Sequence, residues 1–261
     1  MSRVGGAVGA EVVADRPLGA YRQLSLALPS TGVSARAGQF VVVPPADRRS
    51  VLPRSWWVCG AGDDPDYGST LEVVVEESEP TPAVGEHLPV LGPLGRALAA
   101  PTPAVPAVVV GHEGGGAVAR WWGARLRERG CAVHLVLVAT DPDRQVDVVG
   151  ARRTADTVLL TDEPGAPAAV EAAVTGHAAA VLYAVTPLRL SAAIAAVAQR
   201  WGLPSQLTAF EAGRTDRCGT GLCGGCDLET AASPRHRVRP CVDGPAVRGD
   251  LVRWAATGDR S

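Results

Sequence analysis

The sequence predicts a chain built in two parts. The first is all-β, a small antiparallel barrel or sandwich, and the second is α/β, with a parallel sheet and helices on its faces. Three observations carry this. Short apolar runs separated by turn formers occupy residues 1–100 with no helical stretch among them. Apolar strands then alternate with helical segments over 101–210. Beyond them, 211–261 holds four of the six cysteines and reads as a loop-like third segment.

In the first part, Leu24, Leu26 and Leu28 alternate with Ser25 and Ala27, the two-residue period of a half-buried strand. Further short runs lie at 40–43, 71–75 and 88–91. Pro44-Pro45 and Gly60-Ala61-Gly62-Asp63-Asp64-Pro65 read as turns between them. Pro101, Pro103 and Pro106 mark the boundary. After it, strands are expected at 107–110, 133–138, 157–160, 179–185 and 206–210, and helices at 117–129, 167–174 and 190–201. Val118, Trp122 and Leu126 fall at i, i+4 and i+8 of the first helix, one buried stripe, so Trp121-Trp122 reads as core packing. No internal repeat is present.

With 261 residues and 46% apolar content, the chain can bury a real core in one large or two ordinary domains. A net charge of −2 gives no electrostatic footprint for nucleic acid. No apolar run approaches the roughly 18–20 residues that span a bilayer. Met1-Ser2-Arg3-Val4-Gly5-Gly6 lacks the continuous hydrophobic stretch of a signal peptide. The expectation is a cytoplasmic protein with no membrane or nucleic-acid partner.

In a reducing compartment disulfides rarely persist, so six cysteines need another explanation. Cys59 and Cys131 sit alone among apolar residues and read as small buried hydrophobes. Arg217-Cys218-Gly219-Thr220-Gly221-Leu222-Cys223-Gly224-Gly225-Cys226 has C-x4-C-x2-C spacing, and fourteen residues separate Cys226 from Cys241. Plant-type [2Fe–2S] proteins share that local spacing. Each iron of the flat cluster needs two thiolates, so a loop must wrap it closely. Gly219, Gly221, Gly224 and Gly225 permit positive φ and let amides point at the sulfurs. A zinc knot usually shows paired C-x2-C elements, and only Cys223/Cys226 has that form. Cys218, Cys223, Cys226 and Cys241 are therefore the expected cluster ligands.

The chain resembles the electron-transfer subunit of the NAD-linked dihydroorotate dehydrogenases, a branch of the ferredoxin-reductase-like flavoproteins. Ala37-Gly38-Gln39-Phe40-Val41 is similar to that family's Pro-Gly-Gln-Phe strand, and Val90-Leu91-Gly92-Pro93-Leu94-Gly95 to its turn between domains. Phe210-Glu211 and Cys241-Val242-Asp243-Gly244-Pro245 resemble its cluster segment. The resemblance implies a flavin-binding antiparallel barrel over 1–100, a nicotinamide-binding-like α/β domain over 101–210 and a [2Fe–2S] segment over 211–261. It also implies electrons running from NADH through FAD and the cluster to FMN in a separate catalytic subunit, in a hetero-oligomer serving pyrimidine biosynthesis.

Several positions depart from the family. Its Arg-Pro-x-Ser flavin motif is matched by Arg54-Ser55-Trp56-Trp57. Arg54 is placed to meet a flavin pyrophosphate in a bidentate fork, while Trp57 could stack on an isoalloxazine ring or fill its space. Val75-Glu76 stands where the family has Tyr-Arg, and a carboxylate there would repel phosphate. The family's Gly-Thr pair is absent around Glu79-Pro80-Thr81-Pro82. Val110-Gly111-His112-Glu113-Gly114-Gly115-Gly116 falls where amides cradle a nucleotide pyrophosphate, making Gly114 and Gly115 the nicotinamide candidates; a tight strand-to-helix turn is the plainer account. Ala184-Val185-Thr186-Pro187 replaces the family's Cys-Gly-Pro, and Thr161-Asp162-Glu163-Pro164-Gly165 matches its next loop only in outline. His112 reads as a solvent-facing loop residue or a proton relay. Arg235, His236, Arg237 and Arg239 read as a solvated stretch or a docking patch for an acidic partner. No triad or carboxylate pair suggests hydrolysis. Two alternatives stay open: a reductase component for another redox enzyme such as an oxygenase, and a flavin-less, non-catalytic iron–sulfur subunit.

Overall fold

The computed structural model describes residues 7–29, 34–45, 53–212 and 218–257. The amino-terminal run Met1 to Gly6 and Arg217, both used above, lie outside the described residues.

Six strands form the first part: β1 (Val8–Leu18), β2 (Tyr21–Ala27), β3 (Phe40–Val43), β4 (Arg54–Asp64), β5 (Gly68–Glu76) and β6 (His87–Leu94). They pair antiparallel and close into a barrel in the order β1-β2-β5-β4-β3-β6. Closure leaves no open edge, which settles barrel against sandwich. Val12, Leu24, Val41, Trp56, Val58 and Val73 fill the interior. The stretch from Gly60 to Asp64, expected as a turn, is strand. It pairs with β5 down to Asp64 opposite Gly68, and the hairpin turn falls at Pro65-Asp66-Tyr67. A register shift between Val58 and Gly60 marks a bulge there, a common place for glycine in a strand. β1 carries no clean alternation in sequence, and its pairing to both β2 and β6 specifies it instead.

The second part alternates β7 (Ala107–His112), α1 (Gly115–Glu128), β8 (Val133–Val138), α2 (Val148–Thr154), β9 (Thr157–Thr161), α3 (Ala166–Gly176), β10 (Val181–Val185), α4 (Leu188–Arg200) and β11 (Ser205–Thr208). The carboxy-terminal segment adds β12 (Leu228–Glu229), β13 (Arg237–Val238), α5 (Pro240–Asp243) and β14 (Ala246–Arg248). The sheet order is β14-β11-β10-β7-β8-β9, parallel except for β14. The cysteine segment is thus stitched into the α/β sheet through β14. Val118, Trp122 and Leu126 of α1 are buried as the stripe requires, and Trp121 with them. Their side of α1 packs in one core with the barrel.

The order of the sheet places the switch point between β7 and β10, since the chain runs outward through β8 and β9 and returns beside β7 at β10. Ligands of open α/β sheets bind at the carboxyl ends of strands at such a point. Here that point faces the barrel. Among the described residues no helix is long and apolar enough to cross a membrane.

Candidate cysteine nest and interdomain crevice

The four cysteines come together in two pairs. In the outer pair, the Cys218 and Cys223 sulfurs accept backbone amides: Thr220 and Cys223 donate to Cys218 Sγ at 3.4 and 3.3 Å, and Cys218 and Gly225 donate to Cys223 Sγ at 3.5 and 3.4 Å. In the inner pair, Cys226 Sγ lies 3.3 Å from Cys241 Sγ. Short chain reversals explain the arrangement. Gly219, Gly221 and Gly224 take positive φ of +67°, +85° and +68°, which curls the loop so that its amides turn inward. The β12–β13 hairpin then carries the chain back, so that Cys241 on α5 meets Cys226. Arg239 braces the closure. It grips Asp227 with two bonds of 2.6 and 2.8 Å and donates to the Gly221 carbonyl at 2.6 Å.

Burial works against the Cys218 thiolate, but hydrogen bonds from Thr220 and Cys223 outweigh it and bring its pKa down to about 6. The Cys241 thiol is pushed up, by its hydrogen bond with Cys226 and by burial. Among the described residues, no three Cys, His, Asp or Glu side chains converge on a single ion position. A zinc ion needs four ligands converging on one point. Two sulfur pairs brought together in this way are the donor arrangement that two irons would need.

The second site is a crevice of about 280 Å³ at the switch point. It is lined from the barrel by Tyr21, Ser55, Trp56, Trp57 and Glu76, and from the sheet by His112, Glu113, Gly114, Gly115 and Val185. Five of the six residues proposed to hold nucleotide therefore meet in one place; Arg54 stands beside it. Trp57 is buried against the edge of Phe40, ring centroids 6.4 Å apart at 83°. Trp56 points into the barrel core and donates from Nε1 to Glu79 at 2.8 Å. Arg54 is held by Glu79 at 3.2 Å and by the Pro80 carbonyl at 3.3 Å. Ser55 Oγ is buried, with no hydrogen-bond partner among the described residues. Gly114 packs under the Tyr21 ring, and a Cβ on Gly115 would lie 2.5 Å from the Val185 carbonyl oxygen. Both glycines thus meet packing needs of the turn.

One cluster that the sequence did not reveal closes this crevice. Glu113, at φ +49°, accepts from Tyr21 Oη at 2.7 Å and from Thr140 Oγ1 at 2.6 Å, and pairs with Arg144 Nε at 2.8 Å. Arg144 also reaches Tyr21 Oη at 2.6 Å and Glu76 at 2.5 Å. Burial opposes ionisation of Glu113, yet the bonds from Thr140, Tyr21 and Arg144 outweigh it and lower its pKa to about 2. The latch joins β2 and β5 of the barrel to the sheet domain. No local motif marks it, because its members come from four separate segments. Glu76, expected to repel phosphate, is matched by Arg144.

Three further sequence expectations meet the structure here. His112 is not a solvent-facing loop residue: it ends β7, its side chain is 9% exposed, and Nε2 lies 2.8 Å from Glu163 Oε1, outside hydrogen-bond geometry. Cys59 and Cys131 are buried, and burial pushes the Cys59 thiol up to about 12. In the basic stretch, Arg239 is the brace already described, whereas Arg235, His236 and Arg237 are exposed.

The barrel, the switched parallel sheet and the cysteine segment together define a ferredoxin-reductase-like fold. The solved structure of an NADH-dependent reduced ferredoxin-NADP oxidoreductase, studied for flavin-based electron bifurcation, superposes with a TM-score of 0.77 at 24% identity, covering 100% of this chain and 94% of that one. Phthalate dioxygenase reductase, described as a modular structure for electron transfer from pyridine nucleotides to [2Fe–2S], gives 0.61 at 13% identity over 95% and 96%. The cytochrome P450 reductase of Amycolatopsis gives 0.57 at 18% identity over 76% and 68%. A search of curated proteins returns no significant match. Residues 217–253 match the family model described as the iron-sulfur cluster binding domain of dihydroorotate dehydrogenase B. The carboxy-terminal segment is thus similar to an iron–sulfur-binding domain and is carried on this fold.

Proposed function

We propose that the chain is an electron-transfer subunit that carries a [2Fe–2S] cluster on Cys218, Cys223, Cys226 and Cys241. It passes electrons between an NAD(H)-linked donor and a flavin-containing catalytic subunit of the dihydroorotate dehydrogenase type, within a cytoplasmic hetero-oligomer of pyrimidine biosynthesis. The observation that carries this is the pairing of sulfurs, with amides aimed at the outer two. When bound, such a cluster accepts and releases electrons singly. The protein's part is to hold the thiolates, to donate N–H groups to the outer sulfurs and to bury the inner ones. The absence of a triad or a carboxylate pair in the sequence accords with a chain that acts through a partner.

For FAD, the crevice supports a ring more readily than a whole dinucleotide. Its volume of about 280 Å³ falls just below the roughly 300–1,000 Å³ of small-molecule sites, and Ser55 Oγ on its wall has no hydrogen-bond partner among the described residues. Trp57 would lie against the ring and Arg54 would take the pyrophosphate after leaving Glu79. NAD(H), if bound by this chain, would approach the Gly114-Gly115 turn from the side that Glu113 now holds. These self-pairings favour a second reading, a flavin-less iron–sulfur subunit. The reductase component for an oxygenase or similar enzyme keeps the same residues and changes only the acceptor.

Anaerobically purified protein should contain equal amounts of iron and acid-labile sulfide, and Ser at any one of the four cysteines should bleach the visible bands. Zinc without sulfide would overturn the proposal. Flavin assayed on the same sample separates the flavin-less reading, and the identity of the co-purifying subunit separates the oxygenase reading.

A further inference from the structure

We propose that Phe40 and Phe210 form a dry inner wall of the cysteine nest and set the reduction potential of the cluster held there. Both are positioning residues, and the inference rests on the iron–sulfur reading above. The chain has two phenylalanines, and they meet each other. Each is at most 1% exposed, and their rings lie 4.6 Å apart at 31°.

The cysteine loop is pressed onto these rings. A Cβ on Gly219 would come within 3.3 Å of Phe40 Cε2, 2.8 Å of Val42 Cγ2 and 3.7 Å of Phe210 Cζ. The turn between domains presses from another side, where a Cβ on Gly95 would lie 3.2 Å from Phe40 Cε1. Cys226 and Cys241, each 3% exposed, share one buried cluster with Phe40, Phe210 and Trp57. Cys223 is exposed. The nest therefore has an apolar inner side and an amide-lined outer side that opens to solvent at Cys223. The same rings reach the crevice wall through Trp57.

The consequence follows from charge. A cluster on four thiolates is already negative, and one-electron reduction adds a further negative charge. An apolar wall disfavours the more negative state and lowers the potential, while amide donors on the outer sulfurs raise it. Truncating the wall admits water to the inner sulfurs and should raise the potential.

The test is a redox titration of the intact cluster-loaded protein with dithionite, which supplies one electron per cluster. The visible bands report the oxidised fraction. Phe210→Ala is expected to shift the oxidised-to-reduced ratio at fixed ambient potential roughly tenfold toward reduced, about 59 mV for a one-electron couple. Phe210→Leu, which keeps the wall apolar, is expected to stay near the parent value. If Phe210→Ala does not load, Phe210→Val carries the same test with a smaller rise. A loaded truncation variant with unchanged or lowered potential overturns the proposal, as does a Leu variant that shifts as far as Ala. A parent protein lacking iron and sulfide would instead overturn the iron–sulfur reading itself.

Discussion

The cysteine nest and the crevice both border the buried cluster that holds Phe40, Phe210 and Trp57, yet they are built by opposite means. The nest is made of neighbours. Three of its four sulfurs come from one short loop, and the fourth returns on a hairpin that follows directly. The crevice is made of strangers: Tyr21, Ser55, Glu76, Glu113 and Arg144 come from strands and loops across the first two parts of the chain. The outer sulfurs of the nest accept backbone amides, and the inner two meet each other. The crevice has already paired most of its charges with one another. Spacing in sequence therefore specifies the first, and only the folded pairing specifies the second.

The sharpest way to break this comparison is at a nest glycine. Gly219 sits at φ +67° with Phe40 and Val42 against it. Gly219→Val adds left-handed strain of order 1–3 kcal/mol and a branched side chain where no room exists. We expect it to abolish cluster loading, read as loss of bound iron and sulfide, while the barrel and sheet remain folded by circular dichroism. Normal loading would mean that the loop is not constrained as described.

The latch should give a smaller and graded effect. Arg144→Ala leaves the half-buried Glu113 carboxylate short of a charged partner, which costs about 1–3 kcal/mol, seen as a lower midpoint in urea. The pH dependence is specific. The folded pKa of Glu113, about 2, lies below its ordinary 4.5, so its contribution is fully present above 4.5 and fades as pH falls toward 2. Glu113→Gln should flatten the stability profile across that window. An unchanged profile would show that the latch does not join the two domains.

The legibility of the chain follows the same division. Apolar runs at 40–43 and 133–138 coincide with β3 and β8, because a strand buried along its length reads as a nearly continuous apolar run. The stripe Val118, Trp122, Leu126 is buried as its spacing requires. In sequence, Gly60 and Gly62 signal a turn in isolation, whereas pairing with Glu72 and Thr70 keeps them in β4. His112 reads as solvent-facing because nothing local shows that it ends β7 with its side chain close to Glu163, far along the chain. Likeness singles out Arg54-Ser55-Trp56-Trp57 in sequence, and the structure puts Ser55, Trp56 and Trp57 on the crevice wall, but the tie between Arg54 and Glu79 is not visible in any motif.

That tie leads to the smallest expected effect. In sequence, Glu76 reads as the carboxylate opposed to a flavin pyrophosphate, but Arg144 matches it at 2.5 Å. Glu79 is the carboxylate that holds Arg54, at 3.2 Å, with side chains 23% and 14% exposed. A partly exposed pair of this kind is worth about 0.2–1 kcal/mol. Glu79→Gln releases Arg54 while its amide oxygen still accepts from Trp56 Nε1. Titration of flavin-free protein with FAD should then show tighter binding, by up to about fivefold in Kd, and Arg54→Ala should remove the gain. If Glu79→Gln leaves the affinity unchanged, Arg54 does not reach the pyrophosphate. If neither variant nor the parent binds FAD at all, the crevice is filled by its own side chains and the flavin-less subunit is the better account.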